Sequence, residues 1–101
     1  MNHNFNVIAN DNVAGDIQEA VNYYNQKKDL LGTRFYNSAK TEMNSLKKDA
    51  LLFQIRYENV RCLKVKNFPY LIHYTVNKKT KTVRIYSVTG THKAPFDSLI
   101  R

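Results

Sequence analysis

The side chains best suited to chemistry lie in the second half of the chain, where basic and aromatic residues alternate. Cationic groups that could hold an anion are Arg61, Lys64, Lys66, Arg84, His92 and Lys93. Four tyrosines and a phenylalanine lie on or beside the same segments: Tyr57, Phe68, Tyr70, Tyr74 and Tyr86. Cations bind phosphates and aromatic rings stack on bases, so these residues are candidates for binding an anionic partner. Tyrosines that alternate along strands also pack in cores, which is the competing role for them.

One reaction fits these residues without a metal: cleavage of RNA by its own 2′-hydroxyl. That reaction needs an acid, a base and cations that stabilise the charge on the phosphorane. His92 is the candidate acid or base, and Arg61, Arg84 and Lys93 are the candidate cations. The sequence shows no metal-ligand pattern, glycine-rich phosphate loop or nucleophile motif. We therefore expect no metal and no cofactor.

The positive charge of the chain is concentrated in its second half. Residues 1–50 contain six basic and six acidic residues, whereas residues 51–101 contain ten basic and two acidic ones. The whole net charge of +8 therefore belongs to the second half. This distribution favours an anionic partner for that half, either nucleic acid or an acidic protein segment.

Length and composition indicate one small globular domain, residues 1–101, in the cytoplasm. No apolar run approaches the roughly 20 residues that span a bilayer, and the N-terminus lacks the pattern of a signal peptide. The single cysteine, Cys62, is interpreted as a small core residue. His73 is interpreted as a residue on a sheet face without a catalytic role.

The first half of the chain has a helical period after a short extended segment. Residues 4–9 alternate as in an edge strand. Apolar residues then follow a helical spacing in two runs, which we interpret as two helices within residues 11–48: Val13, Ile17, Ala20, Val21, Tyr24, and then Phe35, Ala39, Met43, Leu46. Between them, Gly32 is expected to supply the turn and Thr33 to cap the second helix.

The second half has the period of β-strands. Residues 60–65, 70–76 and 82–89 are rich in Val, Ile, Tyr and Thr, alternate in polarity and are joined by hairpin-length links. Residues 53–56 could add a further extended piece. We therefore predict an α+β fold, with an antiparallel helical hairpin packed on one face of a twisted antiparallel sheet of three to four strands. The predicted core is Ile17, Val21, Phe35, Ala39, Leu46, Ile72 and Tyr74.

Several segments together resemble the RelE/ParE superfamily, the toxins of type II toxin–antitoxin systems. In the helical half these are residues 16–21, 23–24 and 31–35; in the strand half they are residues 60–62, 68–76, 83–88 and 91–95. Their order and spacing match over nearly the whole chain. The resemblance implies a helical hairpin on a twisted antiparallel sheet, the fold that the periodicity predicts independently.

The resemblance also implies a partner and a choice between two activities. The partner is a cognate antitoxin whose C-terminal segment wraps the toxin, in a heterodimer or heterotetramer. ParE-like members, linked to plasmid stabilisation and growth inhibition, poison DNA gyrase and are not known as nucleases. RelE-like members cut mRNA in the ribosome.

Departures from the nuclease pattern favour the ParE-like branch. Leu71 aligns with a catalytic arginine of RelE-like nucleases, and Phe96 and Leu99 stand where those proteins tend to carry a tyrosine. Gly90 takes the usual position of a terminal histidine, with His92 displaced by two residues. The expected function is therefore a non-enzymatic toxin that binds a protein target, with a ribosome-dependent, metal-independent mRNA endoribonuclease as the alternative. A third hypothesis is a member of the superfamily that binds its antitoxin but has lost its toxicity.

Overall fold

The computed structural model describes residues 4–91, which form two helices and a five-stranded sheet. In chain order the elements are β1 (Asn6–Ala9), α1 (Asn12–Lys27), α2 (Leu31–Asp49), β2 (Ile55–Tyr57), β3 (Val60–Lys64), β4 (Tyr70–Asn77) and β5 (Thr82–Gly90). The predicted α+β class and the order of the elements are confirmed. None of the helices in this range is long and apolar enough to cross a bilayer.

The sheet is larger than predicted and is mixed rather than purely antiparallel. Its strand order is β1-β5-β4-β3-β2, and the four strands β2 to β5 pair antiparallel with their chain neighbours. β1 pairs parallel with β5, which corrects the prediction of an antiparallel sheet of three to four strands. Alternation of apolar and polar residues correctly identified the first segment as an edge strand. The same alternation does not indicate which strand it pairs with, or in which direction.

The two helices form the predicted hairpin, but a different residue makes the turn between them. Leu30 adopts a left-handed backbone with φ of 70°, and α2 begins directly after it. Gly32 therefore lies inside the first turn of α2, where it is buried, and the predictions of a turn at Gly32 and a cap at Thr33 are wrong. The Asn25 side chain accepts a hydrogen bond from the Gly32 N–H at 2.8 Å and so ties the helices together.

Six of the seven predicted core residues are buried between the hairpin and the sheet. Val21 is the exception: it is half-buried, because it flanks the inward stripe of α1 formed by Val13, Ile17, Ala20 and Tyr24. An aromatic cluster fills the centre of the interface, with Phe35 stacked on Tyr24 at 5.6 Å between ring centroids. Burial of such rings supplies much of a small domain's stability.

The helices cover only one face of the sheet. Along β4, Tyr70, Ile72 and Tyr74 are buried under the helices, whereas the alternate residues face the other way and are half-buried. A bulge interrupts the β4–β5 ladder beside His73. Side chains of α1 satisfy the backbone groups there, because Asn12 donates to the Tyr86 carbonyl at 2.8 Å and Asp16 accepts from the Val88 N–H at 3.0 Å.

Candidate functional site

The face of the sheet that the helices leave uncovered, called here the open face, carries most of the polar side chains of the strands. Residues directly opposite one another in an antiparallel pair share a face. By register, the open face includes His73 and its partner Cys62, Lys64 beside Leu71, and Arg84 beside Thr75. It is therefore both basic and polar, as the sequence indicated for this half of the chain.

The predicted cations do not converge on this face. Lys64 and Arg84 lie on it, and Arg84 donates to the Asn10 side chain at 3.0 Å. Their cross-strand partners are four residues apart along β4, which is roughly 13 Å at about 3.3 Å per residue. Lys66 lies in the β3–β4 turn, where it lines a cleft beside α2. His92 and Lys93 lie outside the described residues.

Arg61 lies on the helix side of the sheet and is engaged in holding the chain after α2. Its cross-strand partner is the buried Tyr74. Its Nη1 donates to the Phe53 carbonyl at 2.6 Å and reaches the Leu51 carbonyl at 3.4 Å. Tyr74 adds to this anchor by donating to the Ala50 carbonyl at 2.7 Å. Arg61 and Arg84, proposed from the sequence as joint cations for one phosphate, are therefore on opposite faces of the sheet.

A hydrogen-bonded network centred on His73 crosses four strands of the open face. Its Nδ1 lies 3.1 Å from the Tyr57 hydroxyl and 3.4 Å from the Cys62 thiol, and its Nε2 lies 2.8 Å from the Thr89 hydroxyl. Cys62 is half-buried in this network, which corrects its interpretation as a core residue. The signal was available in the sequence, because Cys62 alternates with Leu63 and therefore faces away from the core.

The pKa shifts of the three titratable groups in this network all favour the neutral form. Burial, and secondarily the positive charge of Arg56, lowers the pKa of His73. Burial also raises the pKa of the Cys62 thiol and of the Tyr57 hydroxyl. A reactive cysteine needs a lowered pKa, so the contact between His73 and Cys62 does not activate the thiol as a nucleophile. The network is suited to connecting strands and to hydrogen bonding with a ligand.

Two further features bear on what this surface can bind. Within residues 4–91, no three His, Cys, Asp or Glu side chains are grouped so that they could hold a metal ion. Leu71 places an aliphatic side chain on the open face between Lys64 and Thr89, the residues opposite it on β3 and β5. Exposed apolar side chains cluster instead around β2, where Leu52 is 73% and Ile55 is 52% exposed.

Comparisons with known proteins add a structural likeness. A scan against protein-family models finds no match, and a search of curated proteins finds none either. Among solved structures, the chain is similar to one described as "Chromosomal ParDE TA system from P. aeruginosa", with a TM-score of 0.74 and 15% identity. The likeness covers 87% of this chain and 97% of that chain. It shows that the fold is ParE-like: a helical hairpin on one face of a twisted sheet.

Proposed function

We propose that this chain is the toxin of a type II toxin–antitoxin module and acts, in the ParE-like manner, by binding a protein target in the cytoplasm, namely DNA gyrase. The observation that carries the proposal is the shared fold, which extends over 87% of this chain and 97% of a chain from a ParDE system. The motif resemblance in both halves of the sequence points to the same class.

The arrangement of the cations supports binding rather than RNA cleavage. A nuclease of this kind needs several charged donors around one phosphate, because one preorganised donor is worth roughly 10²–10³-fold in rate. Arg61 is turned to the helix side and hydrogen-bonded to backbone carbonyls, whereas Arg84 lies on the open face. Leu71, which aligns with a catalytic arginine of RelE-like nucleases, lies between Lys64 and Thr89 and supplies no charge there.

The proposed antitoxin is an acidic or amphipathic protein with a tail that orders on binding. The tail would lie on the open face of the sheet, where its acidic residues would meet Lys64 and Arg84. Arg61, which the sequence suggested as a third contact, lies on the helix side and is outside this surface. The exposed Leu52 and Ile55 at β2 provide apolar contact area at the edge of the sheet. The assembly would be a heterodimer or heterotetramer.

Co-expression tests this proposal directly. The chain is placed under a tightly controlled promoter, alone or with the neighbouring open reading frame. We expect growth to stop on induction of the chain alone and to continue when both genes are expressed, with the two proteins purifying as one complex. Unimpaired growth on induction of the chain alone, at a verified expression level, would contradict an active toxin. A complex without toxicity would indicate a member that has lost its activity.

The alternative function, a RelE-like ribosome-dependent mRNA endoribonuclease, is favoured by one observation. The open face combines Lys64, Arg84 and the His73 network with the exposed ring of Tyr57. Cations with aromatic rings on a sheet face are typical of RNA-binding surfaces. Codon-phased cuts in translated messages after induction, lost in Arg84→Ala, would select this alternative.

A further inference from the structure

The hydrogen-bonded network on the open face brings a thiol and an imidazole nitrogen close together. Cys62 on β3 and His73 on β4 are direct cross-strand partners, and the Cys62 Sγ lies 3.4 Å from the His73 Nδ1. A cysteine sulfur and a histidine nitrogen are both preferred ligands of Zn²⁺ in proteins. The lack of a metal-ligand spacing in the sequence does not bear on this pair, because the two residues meet only through the register of the sheet.

The separation of the two atoms suits a single metal ion. In a tetrahedral centre with a Zn–S bond of about 2.3 Å and a Zn–N bond of about 2.0–2.1 Å, the two ligand atoms lie roughly 3.5–3.6 Å apart. The observed 3.4 Å therefore requires only a small adjustment of the two side chains. Both side chains are half-buried on a face that the helices leave uncovered, so an ion can reach them. Since no third His, Cys, Asp or Glu side chain of residues 4–91 is grouped with them, water would fill the other positions.

The protons of the network favour its exchange of a proton for a cation. The His73 Nε2 lies 2.8 Å from the Thr89 hydroxyl. Two groups with protons of their own, the Tyr57 hydroxyl and the Cys62 thiol, converge on the other ring nitrogen, Nδ1. We therefore assign the ring proton to Nε2, which donates to Thr89, and a bare lone pair to Nδ1. One lone pair cannot accept two full hydrogen bonds, and a cation between Sγ and Nδ1 removes this conflict.

The surroundings of His73 prepare it as a ligand. A metal binds the neutral imidazole, and burial lowers the pKa of His73, so the neutral form prevails at neutral pH. The hydrogen bond from Nε2 to Thr89 fixes the ring, as such bonds do for most metal-ligating histidines. Two features oppose a cation: burial raises the pKa of the Cys62 thiol, and Arg56 places a positive charge nearby. The affinity should therefore be lower than that of a structural zinc site with four protein ligands.

We propose that Cys62 and His73 form a Zn²⁺ site on the open face, with the Cys62 thiolate and the His73 Nδ1 as the protein ligands. On binding, the thiol proton leaves to solvent, and the sulfur and Nδ1 each donate a lone pair to the ion. The Tyr57 hydroxyl turns away from Nδ1, which its side chain can do because it is 49% exposed. The site links β3 to β4. It goes beyond the toxin function and does not depend on it, because it rests on the geometry of the network alone.

Titration with Co²⁺, a spectroscopic substitute for Zn²⁺, tests the proposal on the full chain. The reduced protein is titrated with Co²⁺, and Zn²⁺ is then added to displace it. Because Cys62 is the single cysteine of the chain, a thiolate-to-cobalt charge-transfer band in the near ultraviolet reports this sulfur alone. We expect the band to appear with Co²⁺, to disappear when Zn²⁺ is added and to be absent from Cys62→Ser.

Variants of the neighbouring side chains separate this site from nonspecific binding to a thiol. His73→Gln and Thr89→Val should each weaken Co²⁺ binding about tenfold or more, because one removes the nitrogen ligand and the other removes the acceptor that orients it. Tyr57→Phe should strengthen binding about two- to tenfold, because it removes the hydroxyl that competes for the Nδ1 lone pair. The control His3→Gln/His92→Gln removes the other two histidines of the chain and should leave the affinity unchanged.

The proposal is wrong if the parent chain gives no thiolate-to-cobalt band, or if neither His73→Gln nor Thr89→Val weakens binding. Loss of the band in the His3→Gln/His92→Gln control would place the nitrogen ligand elsewhere and would also overturn it. Weaker binding by Tyr57→Phe would make the hydroxyl a ligand rather than a competitor, against the two-ligand arrangement. Thermal unfolding shows whether each variant is folded, and Thr89→Val and Tyr57→Phe carry the test if His73→Gln is not.

Discussion

Replacing each of the two described helical glycines by alanine should change stability in opposite directions. At Gly15, an added Cβ meets no atom within 4 Å. Alanine there should stabilise the protein by about 0.8–1.0 kcal/mol, the difference in helix propensity. At Gly32, the added Cβ would collide with the Val21 carbonyl oxygen and would come within 2.7 Å of the Asn25 side chain. Overpacking of this kind costs about 1–3 kcal/mol.

The obstacle at Gly32 is backbone, so the helices can relieve it only by moving apart and stretching the Asn25 hydrogen bond. A backbone obstacle puts the cost in the upper half of the overpacking range, about 2–3 kcal/mol. Less the gain in helix propensity of about 1 kcal/mol, we expect Gly32→Ala to destabilise the protein by roughly 1–2 kcal/mol. A domain of this size shifts its melting temperature by about 4–8 °C per kcal/mol. Thermal and urea unfolding of both variants beside the parent chain provide the measurement. A Gly32→Ala protein at least as stable as the parent would refute the close helix contact.

Three further predictions follow from the anchors of the sheet. Tyr74→Phe removes the buried donor to the last turn after α2 and should cost about 1–3 kcal/mol in urea unfolding, whereas Tyr36→Phe at an exposed site should change little. Arg61→Gln should lower the free energy of unfolding by roughly 1–2 kcal/mol, because it releases the segment after α2. Arg84→Gln should change that free energy by no more than about 0.5 kcal/mol. Equal losses of stability in the two variants would contradict the placement of Arg61. The lowered pKa of His73 means that the unfolded chain binds protons more readily as the pH falls through the ordinary value of 6.5. The free energy of unfolding of the parent chain should therefore fall as the pH is lowered from about 6.5 towards the depressed pKa of His73, and that of His73→Gln should fall less. Identical dependence of the unfolding free energy on pH in the two proteins would contradict the burial of His73.

Periodicity predicted the elements of this fold because each element buries its own stripe of side chains. The stripe of α2, for example, is set by Phe35, Ala39 and Leu46, and the alternation of β4 by Ile72 and Tyr74. What the sequence could not supply was the partner of an element. The parallel pairing of β1 with β5 joins segments more than 70 residues apart, and no local pattern encodes that choice.

The candidate site was harder to predict than the fold, because it depends on contacts between segments that are distant in the sequence. Arg61 was correctly identified as a cation on a strand, but its partners are backbone carbonyls at residues 51 and 53, and carbonyls have no sequence signature. The His73 network depends on the registers of four strands and on a bulge, which alternation alone does not fix. The turn at Leu30 was missed because leucine rarely adopts a left-handed backbone.

The order of events after induction tests the central claim, a toxin that acts on a protein target, most directly. A DNA-damage reporter and the incorporation of labelled methionine are followed in the same culture at short intervals after expression of the chain begins. A toxin that acts on gyrase should raise the reporter while protein synthesis is still near its starting rate. A fall in protein synthesis before any rise of the reporter, with codon-phased mRNA ends at the same times, would contradict the account.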